Sequence, residues 1–350
     1  MAMKILILGA SYGSLLSTKL LMAGHDVTLV CRRQTADLIN DQGTVVRLKL
    51  RGENEHRLLN SADFPGEVDA MTPEQIAPED YDLVALAMQE PQYSEPSVKA
   101  LMGRIALSKR PCLSIMNMPP LAYLRRIEAL KNANLNGCYA DPSVWSAFEP
   151  GLISLCSPDP QAFRPPEEAA NFLHVGLPTN FKAAEFESAE HNRMLRQLED
   201  DIAAVRLDGQ DVPVKLRVFE SLFVPMAKWS MLLTGNYRCV TPGEAQPIRD
   251  AVHGDLQESH EIYSWVDQLA RQLGADPADQ VPFEKYANAA QSLLKPSSAA
   301  RAITAGAVRI ERVDKLVQSV AASLGMRHES VDRTVAIVDQ KLAANAQRAA

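Results

Sequence analysis

The apolar positions in the first third of the chain predict strands and helices in alternation. Short apolar runs of the kind found in buried strands occur at residues 4–8, 26–31, 82–88 and 111–116. Segments with helical periodicity are interleaved with them and are listed here: residues 12–22, 35–42, 95–107 and 119–130. This alternation predicts an α/β fold with a mostly parallel, doubly wound sheet.

The pattern changes towards the second half of the chain. Apolar runs at 152–156 and 172–177 predict further strands that close the sheet, and a helix is predicted at 184–205. After Val214 the pattern predicts helices alone: residues 217–233, 248–274, 284–294, 307–324 and 330–347. We therefore expect two domains, an α/β domain at 1–210 and an all-α domain at 211–350.

Composition narrows the class of protein. The chain has 350 residues, of which 46% are hydrophobic and 23% charged, and its net charge is −7. These values are typical of a globular protein and argue against a nucleic-acid partner. Apolar runs are too short to span a bilayer, and the five cysteines include no C-x-x-C pair. We expect a cytoplasmic protein with neither a membrane segment nor a metal site.

A small-residue turn joins the first predicted strand to the first predicted helix. It reads Gly9-Ala10-Ser11-Tyr12-Gly13-Ser14, a variant of G-x-G-x-x-G with serine at the second and third glycine positions. The helix N-terminus after such a turn can bind a pyrophosphate, and the Ser11 hydroxyl can reach a phosphate oxygen. The segment therefore predicts a Rossmann dinucleotide-binding unit with Gly9, Ser11, Tyr12 and Gly13 at the cofactor. The alternative is the same local fold without a nucleotide.

Polar residues follow several of the predicted strands. The second strand ends at Arg32, where a carboxylate would bind the ribose of NAD and an arginine accommodates the 2′-phosphate of NADP. Gln89 and Asn117 follow the next two strands. Because ligands of an open parallel sheet lie at the carboxyl ends of its strands, all three residues are candidates for binding NADP(H).

The helical half carries a lysine within an apolar segment. Residues 223–236 are largely apolar but include Lys228, and Asn236 follows it after eight residues. On an α-helix this spacing places both side chains on nearly the same face. The alternative is a surface lysine whose ammonium group reaches water.

With these segments the chain resembles the ketopantoate reductase family of NADPH-dependent 2-keto acid reductases. The matching segments are residues 3–15, 23–32, 87–89, 115–117, the helix around Lys228 and Asn236, 296–298 and 305–325. The resemblance implies a Rossmann domain followed by a helical domain of the 6-phosphogluconate dehydrogenase type. It also implies that Arg32 binds the 2′-phosphate and that Asn117 lies near the nicotinamide and the substrate.

The resemblance implies roles in the helical domain as well. Lys228 would be the general acid that protonates the carbonyl oxygen, and Asn236 would hold the substrate. Ser297 or Ser298 would meet the substrate carboxylate. Glu311 would supply the family's active-site acid, at a spacing that differs by about two residues.

Two positions depart from the family pattern. Gln89 stands where the family has lysine, and Leu232 stands where it has asparagine. Losing a charge and a hydrogen-bonding group changes which substrates a pocket discriminates. We therefore expect a substrate other than ketopantoate, such as a bulkier or less polar carbonyl compound or an imine.

Two other functions remain open at this point. An opine-type dehydrogenase, which couples an amine to a keto acid, would use a His–Asp pair, and His253, Asp255, His260 and Glu261 cluster in one segment. A non-catalytic NADP(H) sensor would bind the cofactor without turnover. In each case the partner is a small molecule, and the long C-terminal helices suit a homodimer formed through the helical domain.

Overall fold

The computed structural model describes residues 2–349, which form two compact units. The first unit contains the chain up to residue 88 together with 92–123 and 143–220, and the second contains 89–91, 124–142 and the chain from 221 onward. The first unit thus continues ten residues past the boundary expected at 210. The last strand of its sheet, Leu216–Phe219, is what keeps this segment in the unit.

The first unit is built on an eight-stranded sheet, called here the main sheet. In spatial order its strands are β14 (Leu216–Phe219), β11 (Phe181–Ala184), β8 (Ile153–Ser157), β7 (Cys112–Ile115), β6 (Leu83–Leu86), β1 (Lys4–Leu8), β2 (Asp26–Val30) and β5 (Val68–Met71). The strands from β8 to β5 run parallel to one another, and β11 is antiparallel to β8. The central strands are buried along their length, as parallel sheets require. The expected doubly wound α/β fold is confirmed.

A second sheet of four strands, called here the small sheet, also belongs to the first unit. Its strands in order are β4 (Arg57–Asn60), β3 (Val45–Leu48), β10 (Phe172–Leu177) and β9 (Gln161–Phe163). The expectation that residues 172–177 would extend the main sheet is wrong, because β10 pairs in parallel with β3. Asn171 secures this pairing: its backbone carbonyl accepts from Val45 N and its side chain donates to Gly43 O, at 3.0 and 2.9 Å.

Helices of the first unit follow the periodic segments. They are α1 (Gly13–Met22), α2 (Arg33–Gln42), α3 (Pro96–Ser108), α4 (Leu121–Leu124) and α5 (Ala189–Ala204). The helix expected at 119–130 is interrupted after α4, since Ile127 has an extended backbone. A two-stranded hairpin of β12 (Arg206–Leu207) and β13 (Gln210–Asp211) follows α5.

The second unit is helical, as expected. Its helices are α6 (Lys228–Met231), α7 (Ile248–His253), α8 (Leu256–Gln272), α9 (Phe283–Ala290), α10 (Ser298–Thr304), α11 (Val313–Ser323) and α12 (Glu329–Ala349). The continuous helix expected at 217–233 is wrong: β14 opens that segment, and α6 lies between a 3₁₀ turn and a π turn. The helix expected at 248–274 is split because Asp255 caps the start of α8, accepting from Glu258 N at 2.8 Å. Within residues 2–349 the structure contains no helix long and apolar enough to cross a membrane.

Candidate functional site

The turn after β1 requires glycine at position 9. Gly9 has φ +107°, and a Cβ atom there would lie 2.7 Å from Met88 Cγ and 2.8 Å from Ala87 O. Its N–H donates to Val30 O at 3.0 Å, which joins the ends of β1 and β2. The absent side chain leaves room for the backbone to turn tightly into α1.

Gly13 allows α1 to pack closely on the main sheet. A Cβ atom on Gly13 would lie 2.7 Å from Ile7 Cγ2 and 3.3 Å from Ala87 Cβ. Close helix–strand packing is the role of the third glycine in G-x-G-x-x-G, so Gly13 takes that role and Ser14 does not. Ser14 is buried and its hydroxyl donates to Ala10 O.

The N-terminus of α1 is free of acidic side chains. Its first turn contains no Asp or Glu, while Ser14 N donates to Ser11 O at 3.2 Å and Leu15 N to Tyr12 O at 3.1 Å. The Ser11 side chain is exposed beside this turn. The positive end of the helix dipole and the exposed hydroxyl fit a pyrophosphate group.

Tyr12, expected at the cofactor, also has contacts within the first unit. Its hydroxyl donates to Pro160 O at 2.7 Å, and its ring packs edge-on against Phe181 at a centroid distance of 6.0 Å. Burial, and then the charges of Cys156 and Asp159, raise the pKa of Tyr12 well above its usual value, so the phenol stays neutral. The Tyr12 side chain therefore anchors residue 160 to the start of α1, and its role towards a cofactor stays a prediction.

Arg32 lies at the carboxyl end of β2, at the residue that precedes α2. Its side chain is exposed and forms no hydrogen bond or ion pair with the residues that the structure describes. The neighbouring Arg33 differs, because it lies 3.7 Å from Asp37. The Arg32 guanidinium is therefore available to an anion such as a ribose 2′-phosphate.

The other two strand-end candidates lie in different surroundings. Asn117 follows β7 and is half-buried in the first unit, so Asn117, Gly9 and Arg32 all follow parallel strands of the main sheet at the same edge. Gln89 is exposed and belongs by its contacts to the second unit. The roles of both side chains towards a cofactor stay predictions.

In the second unit, Lys228 begins α6 and Asn236 ends the π turn that follows it. Both side chains are half-buried. An α-helix would rotate Asn236 by about 80° from Lys228 over eight residues. The wider i→i+5 turn at Leu232–Asn236 rotates the chain less per residue and narrows that angle. The two side chains are thus brought closer to one face than the sequence predicts.

The π turn is supported by α9. A Cβ atom on Gly235 would clash with the hydroxyl of Tyr286. That hydroxyl donates to Met231 O at 3.1 Å, a carbonyl at the junction of α6 and the π turn. Glycine at position 235 is therefore needed for Tyr286 to brace this turn.

The two serine candidates differ in availability. Ser297 is buried: its hydroxyl donates to Asn236 O at 2.6 Å and accepts from Ala300 N at 3.1 Å, capping α10. The hydroxyl proton of Ser297 is therefore already donated to the backbone of Asn236. Ser298 is exposed at the first position of α10 and remains the better candidate for a substrate carboxylate.

Glu311 is held near the Lys228–Asn236 segment by Tyr237. The Tyr237 hydroxyl donates to Glu311 O at 2.6 Å and accepts from Val313 N at 3.0 Å. The Glu311 carboxylate accepts from Glu90 N at 3.3 Å. One hydrogen-bonded chain therefore links the residue after Asn236 to Glu311 and Glu90.

Glu90 is a titratable group that the sequence did not single out. Its side chain is 3% exposed and accepts from Ala140 N at 3.1 and 3.2 Å. Burial raises the pKa of Glu90 to about 7, with the Ala140 N–H opposing the rise and the charge of Glu311 adding to it. Only its position directly after Gln89 could have drawn attention to it.

The residues that suggested an opine-type dehydrogenase have structural contacts. His253 Nε2 lies 2.9 Å from Ala287 O, and the His260 ring packs edge-on against Phe283. Asp255 caps α8, and Glu261 accepts from Gln257 at 3.0 Å. These contacts do not form a His–Asp pair.

Comparison with known proteins relates the chain through its fold. No protein-family model matches the sequence, and no curated protein matches it in sequence. A candidate ketopantoate reductase from Ralstonia solanacearum MolK2 is 16% identical, with a TM-score of 0.69 over 99% of each chain. D-mandelate dehydrogenase, solved with NADH and anilino(oxo)acetate, is 13% identical, with a TM-score of 0.64 over 98% of this chain and 100% of the other.

A dimeric ketopantoate reductase from Staphylococcus aureus is also similar in structure. It is 9% identical, with a TM-score of 0.64 over 98% of this chain and 99% of the other. The resemblance to ketopantoate reductases is therefore confirmed at the level of the fold, which is shared along nearly the whole chain.

Proposed function

We propose that the protein is an NADP(H)-dependent oxidoreductase that reduces the carbonyl group of a 2-keto acid. The observation that carries the cofactor assignment is the Arg32 guanidinium, exposed and without an acceptor in the described residues, at the carboxyl end of β2. The turn at Gly9 and the acid-free N-terminus of α1 supply the pyrophosphate site beside it.

The class of substrate is supported by the shared fold. The similar structures are named as ketopantoate reductases and D-mandelate dehydrogenase, the latter solved with NADH and a substituted oxoacetate. Because that neighbour binds NADH, the fold alone does not select between the two cofactors. In this chain we assign the selection to Arg32.

The proposed chemistry divides between the cofactor and Lys228. When bound, the nicotinamide supplies a hydride to the carbonyl carbon. Lys228 Nζ donates the proton that the carbonyl oxygen takes up, a contribution of about 10²–10⁴-fold for a positioned acid. Met226 and Ala227 are buried directly before Lys228, so its ammonium emerges from an apolar segment. Asn236 and Ser298 orient the substrate, and the Glu311 carboxyl group is a second acid.

The substrate we propose is less polar than ketopantoate. Leu232 is buried in the π turn, at the position where the family has asparagine, and Gln89 carries no charge where the family has lysine. A pocket that lacks a hydrogen-bonding group stops favouring substrates that carry the matching hydroxyl. A 2-keto acid with an apolar or aromatic side chain suits these changes better.

The test is consumption of NADPH with a panel of 2-keto acids, followed for the protein and for two lysine variants. Lys228→Met removes the ammonium and keeps the apolar stem, so we expect turnover to fall by about 10²-fold or more while NADPH binding is retained. Lys285→Met is the matched control, since Lys285 is exposed on α9, and it leaves turnover unchanged. Turnover that survives in Lys228→Met would refute the general-acid role. Binding of NADPH without turnover of any carbonyl or imine would support a sensor instead.

We also propose a homodimer formed through the second unit. The similar Staphylococcus aureus enzyme is described as dimeric, and the second unit exposes Leu256, Leu294 and Val308. Sedimentation equilibrium of the protein measures the assembly directly. A monomer at micromolar concentration would contradict this proposal without affecting the proposed reaction.

A further inference from the structure

Arg164 is a half-buried guanidinium without a partner. It directly follows β9 of the small sheet, and its Nε atom is buried. Its side chain forms no hydrogen bond or ion pair with any residue from 2 to 349. A buried polar atom left without a partner is costly, and more so on a charged group. Such an arginine is expected where an anion completes its contacts.

Contacts of the residues just before Arg164 define its position. Four residues earlier, Pro160 O accepts the Tyr12 hydroxyl, which ties this segment to the start of α1. Ala162 packs against the apolar core of the first unit, as do Tyr12 and Cys31. The segment 160–164 therefore runs beside the residues that follow β1.

Arg164 itself lies beside Cys31, the residue directly before Arg32. Burial raises the pKa of the Cys31 thiol to about 11, and the positive charge of Arg164 opposes that rise. At neutral pH this thiol is uncharged and cannot neutralise the guanidinium. The acid Glu168 is also unavailable, since it lies 3.5 Å from Arg47.

We propose that Arg164 binds the 2′-phosphate of an adenosine nucleotide together with Arg32. This inference rests on the proposed function and adds to it a second specificity-determining residue, contributed by the segment after β9. Two guanidinium groups suit a doubly charged phosphate better than one, because each can donate two N–H groups to its oxygens. The unpartnered Nε of Arg164 would then have an acceptor.

The test compares four probes on the full-length protein by calorimetric titration: NADPH, NADH, 2′,5′-ADP and 5′-AMP. We expect Arg164→Ala to weaken NADPH and 2′,5′-ADP about tenfold or more, as for a lost hydrogen bond to a charged group, and to leave NADH and 5′-AMP nearly unchanged. Arg164→Lys keeps the charge and should recover part of the loss. Gln161→Ala, an exposed change on β9, is the matched control and should bind all four probes like the unaltered protein.

The outcomes separate this inference from the proposed function. If the unaltered protein prefers NADPH and Arg164→Ala keeps that preference, the role of Arg164 is wrong while the proposed function stands. If Arg164→Ala weakens NADPH and NADH equally, Arg164 contacts a group common to both, and the inference is overturned. If the unaltered protein binds neither dinucleotide, the proposed function fails and this inference fails with it.

Discussion

An alanine at position 9 would carry two separate energetic costs. The φ of +107° at Gly9 places the residue in the left-handed region, which costs an L-residue about 1–2 kcal/mol. The new Cβ would lie 2.7 Å from Met88 Cγ and 2.8 Å from Ala87 O, and overpacking of this kind costs about 1–3 kcal/mol. We therefore expect Gly9→Ala to lower the free energy of unfolding of the first unit by about 2–5 kcal/mol.

Alanine substitutions at two other glycines measure the backbone cost and the steric cost separately. Gly24 has φ +84° with nothing within 4 Å of an added Cβ, so Gly24→Ala incurs the backbone cost of about 1–2 kcal/mol alone. Gly13 lies outside the left-handed region, but its Cβ would be 2.7 Å from Ile7 Cγ2, so Gly13→Ala incurs the steric cost of about 1–3 kcal/mol. The loss at Gly9 should therefore approach the sum of the other two losses.

The assay is urea unfolding in a Trp229→Phe/Trp265→Phe background, where Trp145 reports on the first unit. Trp145 is fully buried there, so its fluorescence changes when that unit unfolds. Midpoints and slopes for the three alanine variants give the free energies to compare. A Gly9→Ala protein no less stable than Gly24→Ala would show that Met88 and the Ala87 carbonyl move aside, and the steric argument would be refuted.

Two further predictions concern the second unit. Tyr237→Phe removes the hydroxyl that donates to Glu311 O and accepts from Val313 N. We expect urea unfolding to show a loss of about 1–3 kcal/mol in stability, and turnover to fall. Unchanged stability would contradict the importance of these two hydrogen bonds. The raised pKa of Glu90 means that the folded chain keeps a proton that the unfolded chain releases, so stability falls as the pH rises from 4.5 to about 7. Glu90→Gln should remove that fall, and a difference in urea midpoint between the two proteins that stays constant across this range would count against it.

The sequence predicted the centre of the main sheet because its strands are buried on both faces. The runs that became β1, β2, β6 and β7 are largely apolar, and each is followed by a segment with helical periodicity. The edge strand β5, with the sequence Val68-Asp69-Ala70-Met71, was missed because an edge is partly polar. Three of the four residues of β14, 217–219, fall in the expected helix because the apolar segment at 222–233 follows them closely.

The residues of the candidate site likewise fall into those that the sequence could indicate and those that it could not. Gly9, Gly13 and Arg32 could be proposed from the sequence because the roles expected of them depend on a local strand–turn–helix–strand pattern. Glu90 and Arg164 could not be found, since their properties arise from burial beside residues distant in the chain. The π turn was also hidden, because it depends on Tyr286 packing against Gly235.

The late return of the chain to the main sheet governs how the molecule can be divided. Because β14 pairs with β11 and β11 with β8, a fragment cut at residue 210 would lack β14 and leave β11 as an open edge. Open edges invite pairing with other chains. During synthesis the hairpin of β3 and β4 must likewise wait for β10, and a two-stranded hairpin alone is barely stable in water. The first unit thus matures only after residue 219 has left the ribosome, and any truncation meant to isolate it has to include β14.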